Sequence, residues 1–264
     1  MTRAVAVITG ASRGIGLALA REFARQGHAL FLVARGIDQL ERVALEIERD
    51  FGVKVYAAGL DLLDSAASAG LADLLAARRL HADVLINNAG LSLLSPLDKT
   101  PLDEALRVVD LNVRAATALT MAFLPGMVKR GHGAVLNVAS LAGLVPVPNM
   151  AVYGASKSYL IALSRALDAE LRGTGVHVSV LAPGPVRTGM LSGMGLDSGE
   201  RLGWRVLALR PEMVARVAYD GLFARRGMIT PGLFGWLAAV GIGSLPGAAV
   251  LRLAGWAVRA RRAG

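Results

Sequence analysis

Short apolar runs alternate along this chain with longer stretches in which apolar positions recur every three or four residues. The short runs cover residues 4–9, 29–34, 53–59, 84–86, 134–138, 176–181 and 228–230. Their length and their Val, Ile, Leu and Ala content predict strands. The longer stretches, 15–26, 37–51, 65–78, 102–130, 152–172 and 211–225, predict helices. Strands that are apolar on both faces call for a parallel sheet covered on both sides. Strict alternation with helices, joined by right-handed crossovers, predicts an α/β fold: a doubly wound, Rossmann-like parallel sheet of about seven strands. No linker, repeat or low-complexity segment divides the chain, so residues 1–264 read as one domain.

Composition narrows the function classes. The 264 residues are 54% hydrophobic with 31 glycines, which suits a compact enzyme with many tight turns and excludes a disordered chain. The absence of cysteine excludes disulfides, thiolate metal sites and cysteine nucleophiles. A net charge of +9 could serve nucleic acid, but the arginines are spread over several helices and no basic run alternates with aromatics, so no nucleic-acid partner is expected. His28, His81, His132 and His177 fall at turns or element ends without ligand-like spacing, so no metal is expected. The first apolar run is short and leads into a glycine loop. No signal peptide is read from it, and a cytoplasmic location is the expectation.

The first strand runs into Thr9-Gly10-Ala11-Ser12-Arg13-Gly14-Ile15-Gly16, and a helix follows at once. Glycines let a backbone turn sharply and approach a pyrophosphate, while a helix N-terminus offers amide donors and a favourable dipole. Gly10, Ser12, Arg13, Gly14, Ile15 and Gly16 are therefore candidate cofactor contacts. The second strand ends at Ala34-Arg35, where an NAD site usually carries an acidic residue for the ribose 2′-hydroxyl. Arg13 and Arg35 suit a 2′-phosphate instead, through paired charge-assisted hydrogen bonds, and favour NADP(H) over NAD(H). Otherwise they are two solvated arginines.

Tyr153 and Lys157 stand four residues apart in Tyr153-Gly154-Ala155-Ser156-Lys157, on one face of a predicted helix. A cation beside a phenol favours the phenolate and makes a weak acid useful near neutral pH. The spacing is common by chance, and its weight comes from the phosphate loop upstream.

Taken together and in order, these motifs resemble the short-chain dehydrogenase/reductase family, in its compact single-domain branch. The resemblance covers residues 4–188 and rests on the loop Thr9 to Gly16, Asp61, Asn87-Asn88-Ala89-Gly90, Asn112, Ser140, Tyr153 with Lys157, and Pro183-Gly184-Pro185-Val186-Arg187-Thr188. It implies that Tyr153 is the general acid or base, that Lys157 tunes it and binds the nicotinamide ribose, and that Ser140 holds the substrate oxygen. By the same resemblance Asn112 holds a water linking Lys157 to solvent, although an asparagine within a helix can simply make local hydrogen bonds. Asp61 would contact the adenine, or else cap the helix predicted near Ser65. Asn88, Ala89 and Gly90 would line the cofactor, and Pro183, Gly184, Val186 and Thr188 would pass beside the nicotinamide. A homodimer or homotetramer is implied, with the long helices after the fourth and fifth strands as candidate interfaces.

Three segments expected around the site are apolar: 91–94, 141–150 and 190–196. They favour a greasy or aromatic ketone or a 3-oxoacyl chain over a sugar. Residues 189–209, broken by glycines, read as a substrate lid. Residues 232–264 read as an apolar C-terminal extension: no charge occurs between Met228 and Leu251, and Arg259, Arg261 and Arg262 follow. Pro231 and Pro246 argue against a spanning helix. A substrate-side cover or subunit interface is expected there, with peripheral contact to an anionic membrane as the second reading. The sequence thus predicts an NADPH-dependent carbonyl reductase or alcohol dehydrogenase. A 3-oxoacyl-thioester reductase, or a non-catalytic nucleotide-sensing scaffold, are the alternatives.

Overall fold

The computed structural model describes residues 2–189 and 208–232. The lid expected over 189–209 and the extension expected over 232–264 lie outside these residues, apart from Gly189, Ala208, Leu209 and Gly232. Seven parallel strands form a single sheet: β1 (Arg3–Thr9), β2 (Leu30–Ala34), β3 (Val55–Gly59), β4 (Leu80–Asn87), β5 (Gly133–Val138), β6 (Val176–Leu181) and β7 (Met228–Ile229). Their order is β3-β2-β1-β4-β5-β6-β7. The chain winds outward from β1 to one edge, then returns to β4 and winds to the other. The reversal falls between β1 and β4, the switch point at which open α/β sheets bind ligands beyond the carboxyl ends of their strands.

Among the described residues, seven α-helices connect the strands: α1 (Gly14–Arg25), α2 (Ile37–Phe51), α3 (Ala67–Ala77), α4 (Leu102–Val109), α5 (Ala116–Arg130), α6 (Ala151–Glu170) and α7 (Pro211–Phe223). The core follows from the two-residue period of a strand. Along β1, Ala6 and Ile8 pack on one face with Leu19, Phe23 and Val214 of α1 and α7. Val5 and Val7 pack on the other with Leu71, Leu119 and Phe123 of α3 and α5. Each fully buried Leu or Phe in these layers contributes roughly 1.5–3 kcal/mol, so both faces of β1 must be apolar, as its sequence is.

The sequence boundaries hold to within two residues for most elements. Two depart further. Residues 84–86 are only part of β4, because His81 and Asp83 interrupt the apolar run: His81 still pairs with Ala4 of β1, while Asp83 is skipped where the register shifts between the pairs Val5–Ala82 and Ala6–Val84. The single helix expected over 102–130 contains a π-helical turn, Asp110–Ala115, between α4 and α5. Such turns are frequent at functional sites.

Candidate active site

The chemistry-bearing residues lie beyond the carboxyl ends of β1, β4, β5 and β6, which the sheet order makes neighbours. The phosphate loop links β1 to α1. Gly10 and Gly14 have φ of 66° and 60°, a region that side chains with a Cβ rarely adopt. Gly16 is required for another reason: a Cβ there would run into the Gly10 carbonyl and meet Asn88 Nδ2 at 2.5 Å. The loop is pinned from beneath by the β4 end. Asn88 Nδ2 donates to the Thr9 carbonyl at 2.8 Å and the Gly10 carbonyl at 3.3 Å. In return Thr9 Oγ1 accepts from the Asn88 and Ala89 amides, each at 3.0 Å, and donates to the Ile86 carbonyl.

The remaining nucleotide-side candidates surround this loop. Thr188 stands beside it, its Cγ2 3.2 Å from where a Gly14 Cβ would be. Pro183 and Gly184 pack against the start of the 141–143 turn, with the Leu141 amide donating to the Pro183 carbonyl. Val186 is buried and bridges to Leu209. Ser12 is half-buried, and its carbonyl accepts from Gln39 Nε2 of α2 at 3.3 Å. Ile15 packs partly buried against the core. Arg13 and Arg35 are exposed on the rim, and neither makes an ion pair among the described residues. A glycine cradle that a Cβ would fill, a helix N-terminus and two available guanidiniums fit a phosphorylated dinucleotide. Asp61 does not cap α3, which begins at Ala67. Its Oδ1 accepts from the Leu63 amide and closes a local turn, because an aspartate bonds most readily to the backbone two residues on.

On the other side of Gly90 lie the four candidate catalytic residues. Ser140 follows β5, and its Oγ accepts from the Ala142 amide at 3.2 Å at the start of a single 3₁₀ turn. Gly143 closes that turn against α6: a Cβ there would stand 2.7 Å from the backbone of Lys157. Tyr153 is almost completely buried. Burial pushes its phenol up, while a hydrogen bond with Ser140 pulls it back down. Lys157 is also buried, its Nζ donating to the Val138 carbonyl at 2.8 Å, and burial lowers its ammonium to about 8. Nζ lies 5.7 Å from the centroid of the Tyr153 ring. Burial is the main influence on both groups, raising the phenol and lowering the ammonium, and Ser140 is the neighbour that favours the phenolate.

Asn112, 1% exposed, occupies the π turn. Its Oδ1 accepts from the Leu91 amide and its Nδ2 donates to the Leu91 carbonyl, both at 2.9 Å, and Nδ2 also donates to Ser156 Oγ at 3.0 Å. A Cβ on Gly90 would sit 3.1 Å from Asn112 Oδ1 and 3.4 Å from Lys157 Nζ, so a side chain here would press on both groups. The sequence missed Thr9, Leu91 and Ser156 as members of the site. Thr9 and Ser156 were each visible as a polar residue inside a motif. Leu91 acts through its backbone, which no side-chain pattern reveals.

Two further features lie outside this constellation. The four histidines bond locally to Tyr219, to Thr2, to Asp83 and to the Leu222 carbonyl. Among the described residues no group of three or more His, Cys, Asp or Glu side chains could hold a metal. A cleft of about 550 Å³ lies between α1 and α7 and touches the site only at Gly14, Thr188 and Gly189.

Comparison with known proteins agrees with this geometry. Residues 4–198 match the short chain dehydrogenase family. The chain is 33% identical over 220 residues to the NADP-dependent 3-hydroxy acid dehydrogenase of Escherichia coli O157:H7, covering 81% of this chain and 87% of that one. It is 36% identical over 195 residues to the very-long-chain 3-oxoacyl-CoA reductase of Anas platyrhynchos, covering 70% of this chain and 60% of that one. A solved short-chain dehydrogenase from Sphingobium yanoikuyae in complex with NADPH superimposes with a TM-score of 0.81 at 31% identity, covering 92% of each chain.

Proposed function

The chain belongs to the short-chain dehydrogenase family of oxidoreductases, and from that premise we propose that it is an NADPH-dependent carbonyl reductase, reversible as an alcohol dehydrogenase, for hydrophobic ketones or secondary alcohols. The observation that carries this reading is the placement of a buried phenol bonded to Ser140, with a buried lysine behind it, directly across Gly90 from a glycine cradle. The bound nicotinamide would supply a hydride. Everything else falls to the chain. The phosphate loop, Asn88, Ala89, Gly90 and Thr188 would hold the dinucleotide, Arg13 and Arg35 would hold a 2′-phosphate, and Asp61 would contact the adenine. Pro183, Gly184 and Val186 would serve the nicotinamide end.

Ser140 Oγ donates a hydrogen bond to the substrate oxygen and steadies the charge that develops there. Tyr153 delivers the proton to the same oxygen. Its raised pKa keeps the phenol protonated at neutral pH, as a general acid must be. Lys157, with an ammonium near 8, is largely charged at pH 7 and replenishes the phenol, with Asn112 holding the exit of the proton path. The apolar stretches 91–94 and 141–150 support a greasy substrate. Similarity to a 3-oxoacyl-CoA reductase favours a second reading, in which the ketone is a 3-oxoacyl thioester. A scaffold without chemistry is disfavoured, because Asn112, Ser140, Tyr153 and Lys157 are all present and assembled.

The decisive experiment follows NADPH oxidation against a panel of small polar ketones, aryl ketones and 3-oxoacyl-CoA esters. Greater catalytic efficiency on bulky apolar ketones is expected, with Tyr153→Phe lowering kcat by about 10²–10⁴. Polar ketones outperforming the rest would remove the substrate reading. A Tyr153→Phe variant as active as the parent would remove the mechanism.

A further inference from the structure

We infer that Ser156 is a positioning residue: it clamps the π turn of the α4–α5 helix to α6 and so holds Asn112 and the Gly90–Leu91 backbone against Lys157. The inference rests on the catalytic reading above but concerns a side chain to which that reading gives no role. Ser156 is 3% exposed and lies between Tyr153 and Lys157 in sequence. Its Oγ donates to the Tyr153 carbonyl at 2.7 Å, one turn back along α6. That commitment fixes the hydroxyl's proton and turns its lone pairs outward, where one accepts from Asn112 Nδ2 at 3.0 Å.

The consequence passes through Asn112. Both Nδ2 protons of Asn112 are used, by the Leu91 carbonyl and by Ser156, and Oδ1 accepts from the Leu91 amide with one lone pair to spare. Two of the three bonds go to a loop that contributes nothing else to hold the asparagine to α6. The third ties the asparagine itself to the catalytic helix. Asn112 Oδ1 and Lys157 Nζ both border the space a side chain on Gly90, immediately before Leu91, would fill, so any drift of Asn112 away from α6 widens it. Removing the hydroxyl also strands a buried donor, which the loop can satisfy only by moving. Nothing else in the geometry requires a hydroxyl at this position. A residue chosen for packing alone would be alanine, the better helix former.

The test compares Ser156→Ala, Ser156→Cys and Ser156→Thr with the parent, measuring kcat per bound NADPH across pH. Cysteine is nearly isosteric but a poor acceptor, and it serves if Ser156→Ala fails to fold. Threonine keeps a hydroxyl that can bond back along the helix. Ser156→Ala or Ser156→Cys is expected to lower kcat about tenfold, the size of one buried hydrogen bond. The kcat–pH profile should move with it, and Ser156→Thr should recover both. A profile that coincides with the parent's, or a loss that threonine does not recover, would overturn the inference. Tyr153→Phe run alongside separates the two levels. An active Tyr153→Phe defeats the catalytic reading itself, whereas an inactive one beside an unchanged Ser156→Ala defeats only the role of Ser156.

Discussion

At the scale of single residues, the site is governed by desolvation. Lys157 is a cation enclosed by β5, α6 and Gly90, with one carbonyl as its donor target, and burial alone lowers it from 10.5 to about 8. The unfolded chain therefore binds more protons at this position between pH 8 and pH 10.5. Stability should rise with pH across that window, and the full penalty applies below it. The difference corresponds to an effect on the order of 3 kcal/mol. Tyr153 acts in the opposite sense, since a phenol raised by burial costs stability only above pH 10, where the unfolded chain begins to ionise. Urea denaturation between pH 7.5 and 9.5 should show the parent gaining stability, while Lys157→Met, catalytically inert, lacks that gain. Parallel curves for the two proteins would contradict the buried-charge account. None of this was legible in the sequence, where Tyr153 and Lys157 read as partners on one helical face. The spacing was right, but the energy that dominates both groups comes from elements far away in the chain.

At the scale of elements, the proposed 2′-phosphate contacts belong to the β1–α1–β2 unit. The β2 strand ends at Ala34, and Arg35 projects from the exposed turn before α2. Arg13 sits at the N-cap of α1, and Gln39 of α2 reaches back to the loop between them. Arg35→Asp should depress catalytic efficiency with NADPH at least about tenfold and improve that with NADH, as expected when a charge-assisted phosphate contact becomes a repulsion and a ribose hydroxyl gains an acceptor. An unchanged NADPH/NADH ratio would show that the arginine is merely solvated. This unit was fully legible, because strand, glycine loop and helix are contiguous and each obeys a local rule. The helix over 102–130 was legible only as a helix. Its π turn depends on Asn112 bonding across space to Leu91 and Ser156, which no helical period encodes.

At the scale of the molecule, the same helix presents an apolar stripe to solvent. Leu102, Leu106, Val109, Met121 and Val128 are all exposed, Met121 by 71%, and they recur at helical spacing along one side. Tyr159 of α6 joins the stripe through its hydroxyl on Thr117. A 29-residue helix of this composition would meet a length criterion for a membrane span, yet its other side is packed into the core of the sheet. We propose a second copy of the chain as the stripe's partner, giving the expected homodimer or homotetramer. Met121→Arg should shift sedimentation toward the monomer with little effect on the fold. A parent that is already monomeric at micromolar concentration would dismiss the interface.

The sequence by itself determined the alternation of strands and helices, the glycine cradle and the shared helical face of Tyr153 and Lys157, because local backbone chemistry and the period of an element lie within a few residues. Asn112 and Ser140 entered as candidates only through resemblance to a family. Only the tertiary structure decided that Thr9 anchors the end of β4, that Gly90 separates Asn112 from Lys157, and that Ser156 faces the π turn. It also decided the extent of β4, through its pairing with β1. The physical reason is common to all of them. These contacts join residues tens of positions apart, and their strength depends on how completely the packed sheet and helices exclude water from them.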